Sequence, residues 1–192
     1  MFLIVGLGNP GKTYINNRHN IGYKIINEIK DIYNFPIFNK KFYSESSKSE
    51  IDGDIIFLIK PTTYMNNSGI AVKKFKEFYN VDNNNIYVIH DEIDLDQGRI
   101  KIKVGGGHNG HNGIKSIDQF VGKDYNRVRV GVSRPSKIYE NNVDENISSW
   151  VLSNFSSDER IKWVNDTINK VAENIHSLIK DKDIFLKKFR NN

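Results

Sequence analysis

The groups in this sequence that can do chemistry are few, and they fall in short polar segments. They are the imidazoles of His19, His90, His108 and His111, the carboxylate of Asp91, and the carboxamides of Asn9, Asn66 and Asn112. An imidazole that takes a proton from water, a carboxylate that orients it, and amide N–H donors that hold a developing oxyanion together suit hydrolysis by an activated water. No serine stands in a nucleophile elbow. Cysteine is absent, which excludes disulfides, thiolate catalysis and cysteine-ligated metals. A metal hydrolase is the strongest chemical rival, because His90-Asp91-Glu92 and the pair His108 and His111 offer imidazole and carboxylate ligands. Those two histidines lie among glycines, not on a helix face that would aim both at one ion, and loop histidines commonly bond backbone. No metal and no cofactor are therefore expected. His90 reads as a core imidazole at the end of an apolar strand, and His176 as a bystander on the terminal helix.

A second reading competes at the amino terminus, where Phe2 to Val5 feeds Gly6-Leu7-Gly8-Asn9-Pro10-Gly11 and so satisfies G-x-G-x-x-G. A dinucleotide turn needs a helix that points free N–H groups at the pyrophosphate. Pro10 has no N–H, and residues 12–18 lack a 3.6-residue apolar period and carry Asn16-Asn17. The segment is expected to be extended and polar through to His19. The same glycine pattern recurs at Gly105 to Gly110, which weakens either match. An NAD-dependent oxidoreductase and a catalytically silent RNA-binding protein remain as readings from other classes.

These groups must be held by a scaffold. At 192 residues, 38% of them apolar, one domain is the default. Strands are expected at Phe2–Gly6, Phe42–Ile51, Ile55–Lys60, Ile86–Ile89, Arg99–Val104 and Arg127–Val132. The second and third join near Asp52-Gly53, a dipeptide favoured in hairpins. Helices are expected over Asn20–Tyr33, Ser68–Tyr79 and Ile114–Val121. Ser156 to Glu159 reads as a capping box opening a helix from about 156 to 180, with Ile161, Val164, Ile168, Val171, Ile175 and Leu178 on one stripe. Ser136 to Asn146 reads as a polar loop. Strands alternating with helices predict an α/β fold: a single-domain three-layer sandwich with a mixed, largely parallel sheet flanked by helices.

The net charge is +5 and the pI about 9.2, which permits a polyanionic partner without demanding one. Arg99, Lys101 and Lys103 alternate on one strand and Arg127 and Arg129 on another, with Arg134 and Lys137 after it. Each set would present a basic stripe on one sheet face, against the blander reading of a solvated face. No apolar run approaches the ~20 residues of a membrane span, and the first residues do not resemble a signal peptide. A cytoplasmic protein is expected, with no membrane contact. In open α/β sheets, sites gather beyond the carboxyl ends of strands. Four such ends here deliver Asn9 and His19, Tyr64-Met65-Asn66, His90-Asp91-Glu92 and His108 to Gly113.

Four blocks carry a resemblance: Gly6 to Gly11 with Tyr14 and Arg18 to Gly22; Pro61-Thr62-Thr63-Tyr64-Met65-Asn66-Asn67-Ser68-Gly69; His90 to Leu95; and Lys103 to Gly113. In order and spacing, over nearly the whole chain, they resemble bacterial-type peptidyl-tRNA hydrolase. The resemblance implies hydrolysis of the ester between a peptide and the 3′-terminal ribose of tRNA. It makes His19 the general base and Asp91 the group that orients it, and it gives Asn9 discrimination between N-blocked and free aminoacyl esters. Tyr14, Tyr64, Met65, Asn66 and Asn112 would bind the tRNA end or the peptide. Lys101, Lys103, Arg129, Arg134 and Lys137 would contact phosphates of the acceptor stem and CCA end. Lys137 fits the family pattern least well. A monomer without an obligate protein partner is also implied.

Overall fold

The computed structural model describes residues 1–135 and 143–190. Its centre is β1 (Phe2–Gly6), whose residues Leu3, Ile4 and Val5 are fully buried. A continuous apolar run of this kind belongs to a parallel strand covered on both faces. β1 pairs in parallel with β4 (Asp54–Pro61) on one side and β5 (Ile86–Glu92) on the other. β5 pairs in parallel with β7 (Asn126–Gly131). The short β2 (Asn39–Lys41), β3 (Ser44–Ile51) and β6 (Ile100–Val104) are antiparallel additions, giving the order β2-β3-β4-β1-β5-β7-β6. The Asp52-Gly53 turn joins β3 to β4 with both residues at positive φ, 48° and 82°, as a type I′ hairpin requires.

Alternation along the strands sorts the interior into two layers. Ile4, Ile56, Leu58 and Ile89 face α1 (Ile21–Ile32) and the carboxyl-terminal helices, whereas Leu3, Val5, Ile59 and Val88 face α2 (Ser68–Tyr79) and α3 (Asn112–Val121). This is the expected α/β sandwich. The chain leaves β1 toward β4 and leaves β5 toward β7, in opposite directions along the sheet, so the crevice beyond the carboxyl ends of β1 and β5 is a topological switch point.

Three expectations need correction. β5 continues three residues past Ile89, so His90, Asp91 and Glu92 lie within the strand, paired with Arg129, Val130 and Gly131. Asn146 does not end a loop: residues 136–142, Lys137 among them, lie outside the described residues, and α4 spans Val143–Val151. The stretch from about 156 to 180 is not one helix. Ser156 opens α5 (Ser157–Glu159) with the expected capping box, a π turn covers Arg160–Val164, α6 spans Asn165–Glu173, and α7 (Ile175–Lys180) and α8 (Lys182–Lys187) follow. The π turn shifts the helical phase, which leaves Ile161 79% exposed while Val164 and Val171 stay in the core. Among the described residues no helix is long and apolar enough to cross a membrane.

Candidate active site

The segment from Gly11 to Asn20 is not extended. Two short 3-10 turns, Lys12–Tyr14 and Arg18–Asn20, carry it into α1, and Asn17, Arg18, His19 and Asn20 are all buried. Side chains satisfy the buried backbone there. Asn20 closes a reciprocal pair with Asn9, accepting from its N–H at 2.9 Å and donating to its carbonyl at 2.9 Å. Arg18 donates to both oxygens of Glu159 at 2.7 and 2.8 Å, to the Ser153 and Asn154 carbonyls and to Ser153 Oγ, and lies 3.6 Å above the Trp150 ring. The turn bearing His19 is thereby fixed to the chain that follows α4. The approach of α1 to the sheet depends on Gly22, where a Cβ would stand 2.4 Å from the Ile89 carbonyl oxygen.

His19 and Asp91, 72 residues apart in sequence, meet at the rim of the sheet. His19 Nδ1 lies 2.8 and 3.0 Å from the two Asp91 oxygens. Asp91 is 2% exposed. Burial pushes its carboxyl up, but the His19 and His111 imidazoles outweigh that and hold it well below the usual carboxylate range. An ionised carboxylate only accepts, so the ring nitrogens facing it carry protons. The His19 lone pair then resides on Nε2, the condition for a general base.

His111 completes the arrangement, as a second partner of Asp91. Its Nε2 lies 3.1 Å from Asp91 Oδ1, and its Nδ1 accepts from the Gly113 and Ile114 N–H groups at 3.1 and 3.3 Å. It is therefore the N-cap of α3. Donors on one side and a carboxylate on the other fix His111 as the neutral Nε2–H tautomer. His108 bonds backbone as expected, accepting from the Gly110 N–H at 3.1 Å. His90 lies within β5, its Nδ1 2.7 Å from the Asp91 carbonyl oxygen. Burial, and next the neighbouring His111, push its imidazole down to about 3. His176 stands apart, pairing with Asp52 and Asp54 of the β3–β4 hairpin.

His19, Asp91 and His111 offer ligand atoms within 4.8 Å of one another. Of the four ring nitrogens, both that face Asp91 carry protons and His111 Nδ1 is engaged by two backbone donors, so His19 Nε2 alone has an open lone pair for an ion. The donor set fits a hydrogen-bonded triad better than an ion site.

A cleft of about 800 Å³ opens in front of His19 and Asp91, lined also by Asn9, Tyr64, Met65, Asn66 and Asn112. Asn9 Oδ1 accepts from the Met65 N–H at 2.8 Å, so the Asn9 amino group is the donor left for the cleft. Asn66 and Asn112 are exposed on its walls. Tyr14 does not line the cleft but stands edge-on to Tyr64, with centroids 6.4 Å apart. Ile147, Ser148, Val151 and Leu152, on α4 and just beyond it, form a wall with no counterpart among the expected elements.

The basic stripes are only partly as expected. Lys101 and Lys103 are exposed on the edge strand β6, opposite Arg129 and Arg127. Arg127 is instead buried and paired with Asp118 at 2.8 Å. Arg129 pairs with Glu92 at 2.9 Å and Arg134 with Asp94 at 2.8 Å. Of these, Arg134 lines the cleft.

The family profile described as peptidyl-tRNA hydrolase matches residues 3–192. The chain is 46% identical over 192 residues to the peptidyl-tRNA hydrolase of Rickettsia felis, covering 100% of this chain and 98% of that protein. It is 47% identical over 180 residues to that of Bartonella henselae, covering 94% and 90%. The crystal structure of peptidyl-tRNA hydrolase from Acinetobacter baumannii superposes with a TM-score of 0.89 at 33% identity, over 100% of this chain and 95% of that one. A match over nearly the full length in sequence and fold places this chain in the peptidyl-tRNA hydrolase family.

Proposed function

We propose that this protein hydrolyses the ester that joins the carboxyl end of a peptide to the 3′-terminal ribose of tRNA, using water activated by His19. The observation that carries the reading is the contact of His19 Nδ1 with the Asp91 carboxylate at 2.8 Å, which leaves Nε2 free to take a proton. As Nε2 deprotonates the water, the water oxygen bonds to the ester carbonyl carbon and the carbonyl oxygen gains negative charge. Asn66 and Asn112 supply N–H donors to that oxyanion and to the substrate backbone. Asp91 stabilises the imidazolium across one hydrogen bond. Collapse of the intermediate breaks the bond to the ribose oxygen, which leaves with the proton returned from Nε2. Peptide acid and free tRNA result, and the base is regenerated.

Asn9 gives the reaction its discrimination. Its amino group meets the carbonyl of the first peptide unit in a blocked substrate, whereas a free aminoacyl ester offers an ammonium, a donor facing a donor. Tyr64, with Tyr14 behind it, contacts the tRNA end, and Met65 packs beside the reacting ester. Lys101 and Lys103, with Arg129 and Arg134 shared from their carboxylate partners, hold phosphates of the acceptor stem and CCA end independently of sequence. The protein works as a cytoplasmic monomer.

Incubating purified protein with N-acetylated and with free aminoacyl-tRNA, in the presence of a chelator, tests the reading. Selective release from the blocked ester is expected. Equal release from both esters rejects the Asn9 assignment, and release abolished by the chelator rejects a metal-free water mechanism.

A further inference from the structure

Next to the cleft, and sharing Glu92, His108 and Asn109 with its lining, lies a second cavity of about 10 Å³ that is also bordered by His90, Arg127 and Arg129. Two of these residues each carry a buried polar atom without a partner, His90 Nε2 and Arg127 Nε. Such atoms are rare and need an explanation. Their chemistry is complementary. His90 Nδ1 faces the Asp91 carbonyl oxygen, an acceptor, so Nδ1 carries the proton and Nε2 is a lone pair. Arg127 Nε is an N–H donor. The cavity has the volume of about one water, and a water needs two to four polar partners.

We propose that this cavity binds one ordered water, which donates to His90 Nε2 and accepts from Arg127 Nε, and that His90 acts through it as a positioning residue for His111 and Asp91. Glu92, on the same cavity wall, supplies an acceptor for the second proton of the water. Burial and His111 keep the His90 imidazole neutral down to about pH 3, so the lone pair is open throughout the working range.

The route to the triad is short. Arg127 donates to the Gly107 carbonyl at 2.9 Å and the Gly106 carbonyl at 3.4 Å. These residues open the loop that ends at His111, and Gly105, Gly106, Asn109 and Gly110 all stand at positive φ. A loop so rich in glycine has little preference of its own for one conformation. It must be tied down from outside if His111 is to stay 3.1 Å from Asp91. His90 also meets His111 directly, ring edge to ring face, with centroids 4.8 Å apart. Water, Arg127 and the His90 ring thus support His111 in addition to Asp91.

The inference rests on the hydrolase reading above and is tested separately from it. A high-resolution crystal structure of the wild-type protein is expected to show one water about 3 Å from both orphan atoms; a dry cavity overturns the proposal. His90→Phe keeps a ring against His111 but removes the lone pair and the Nδ1 donor. With N-acetylaminoacyl-tRNA it is expected to lose roughly tenfold or more in kcat with little change in KM, and to displace the acid limb of the pH–rate profile. His90→Gln, whose amide oxygen reaches the place of the Nε2 lone pair, is expected to recover most of that loss. A folded His90→Phe variant with wild-type kcat and pH profile overturns the proposal, and if that variant does not fold, the wild-type density decides. Wild-type protein without turnover sinks the hydrolase reading instead, whatever the cavity contains.

Discussion

Replacing Asp91 with asparagine separates orientation from charge at the proposed base. In the native site the carboxylate accepts from His19 Nδ1 at 2.8 and 3.0 Å and from His111 Nε2 at 3.1 Å, with Oδ1 shared by both imidazoles. If the amide oxygen of the new side chain takes the Oδ1 place, its amino group faces the His19 Nδ1–H across the 3.0 Å position, donor against donor. If His19 changes tautomer to relieve that clash, the proton moves to Nε2 and the base is lost. Either way the negative charge that stabilises the imidazolium disappears. For charges centred about 4 Å apart at an effective dielectric of about 20, that is worth about 4 kcal/mol, or roughly 10³-fold in kcat. The tautomer penalty adds to this, so a fall of roughly 10³-fold to 10⁴-fold is expected, with KM changed by less than about threefold. Single-turnover and steady-state hydrolysis of N-acetylaminoacyl-tRNA would measure it, with circular dichroism to confirm folding. Activity within about tenfold of wild type, or a loss carried by KM alone, would refute the argument that Asp91 works through His19.

His19→Ala is expected to abolish most ester cleavage while retaining tRNA affinity, because the imidazole is not a binding group. Asn66→Ala and Asn112→Ala should weaken both, and filter binding beside turnover separates the two cases. Arg18→Ala removes a buried cation from Glu159, Ser153 and Asn154, and a loss of about 3 kcal/mol is expected, read as a shift in the denaturant midpoint. For pH, His90 stays unprotonated down to about 3 in the folded protein, whereas the unfolded chain takes up that proton near pKa ~6.5. The unfolded state therefore binds more protons between those values, and stability falls as the pH is lowered through that window. Thermal melts across it should show a shallower fall in His90→Gln, and an unchanged slope would contradict the assignment. Gly22→Ala is expected to destabilise by about 3 kcal/mol or more, since the Ile89 carbonyl it would strike is backbone and cannot rotate away.

Much of this was legible in the sequence, and the gaps have physical causes. The apolar runs and the Asp52-Gly53 turn announced the sheet, because buried parallel strands and type I′ turns leave strong local patterns. From the sequence the strand that carries Asp91 ends at Ile89, because His90-Asp91-Glu92 looks like the start of a loop. Polar types are depleted in strands, and these remain in β5 because the ladder with β7 carries their backbone and His19, His111 and Arg129 pair with the two carboxylates. The sequence marks His111 as a candidate metal ligand or a backbone-bonded loop histidine, but not as the cap of α3 and partner of Asp91, because histidine is outside the usual set of capping residues and the contact with Asp91 spans distant segments. α4 did leave one: Val143, Ile147, Trp150 and Val151 fall at helical spacing. Its position directly after a polar stretch concealed it. The buried state of Arg127 depends on Asp118 and on the Gly106 and Gly107 carbonyls, contacts that strand alternation alone cannot foretell.

The site and the core draw on different forces, and this decides which substitutions report on what. Asn9, Arg18, His19, Asn20, His90 and Asp91 are each 8% exposed or less, crowded at one end of a sheet whose stability comes from two apolar layers. Satisfied polar networks contribute little net stability but impose one geometry, and they are costly when half broken. Isosteric changes within this network should therefore alter rate before they alter folding, as in Asp91→Asn. Truncations that strand a buried charge, such as Arg18→Ala, should do the reverse. An outcome in which the two kinds of variant lost rate and stability in fixed proportion would mean that the catalytic geometry is simply a readout of global folding, and the separate support assigned to His111, Asn20 and Arg18 would have no basis.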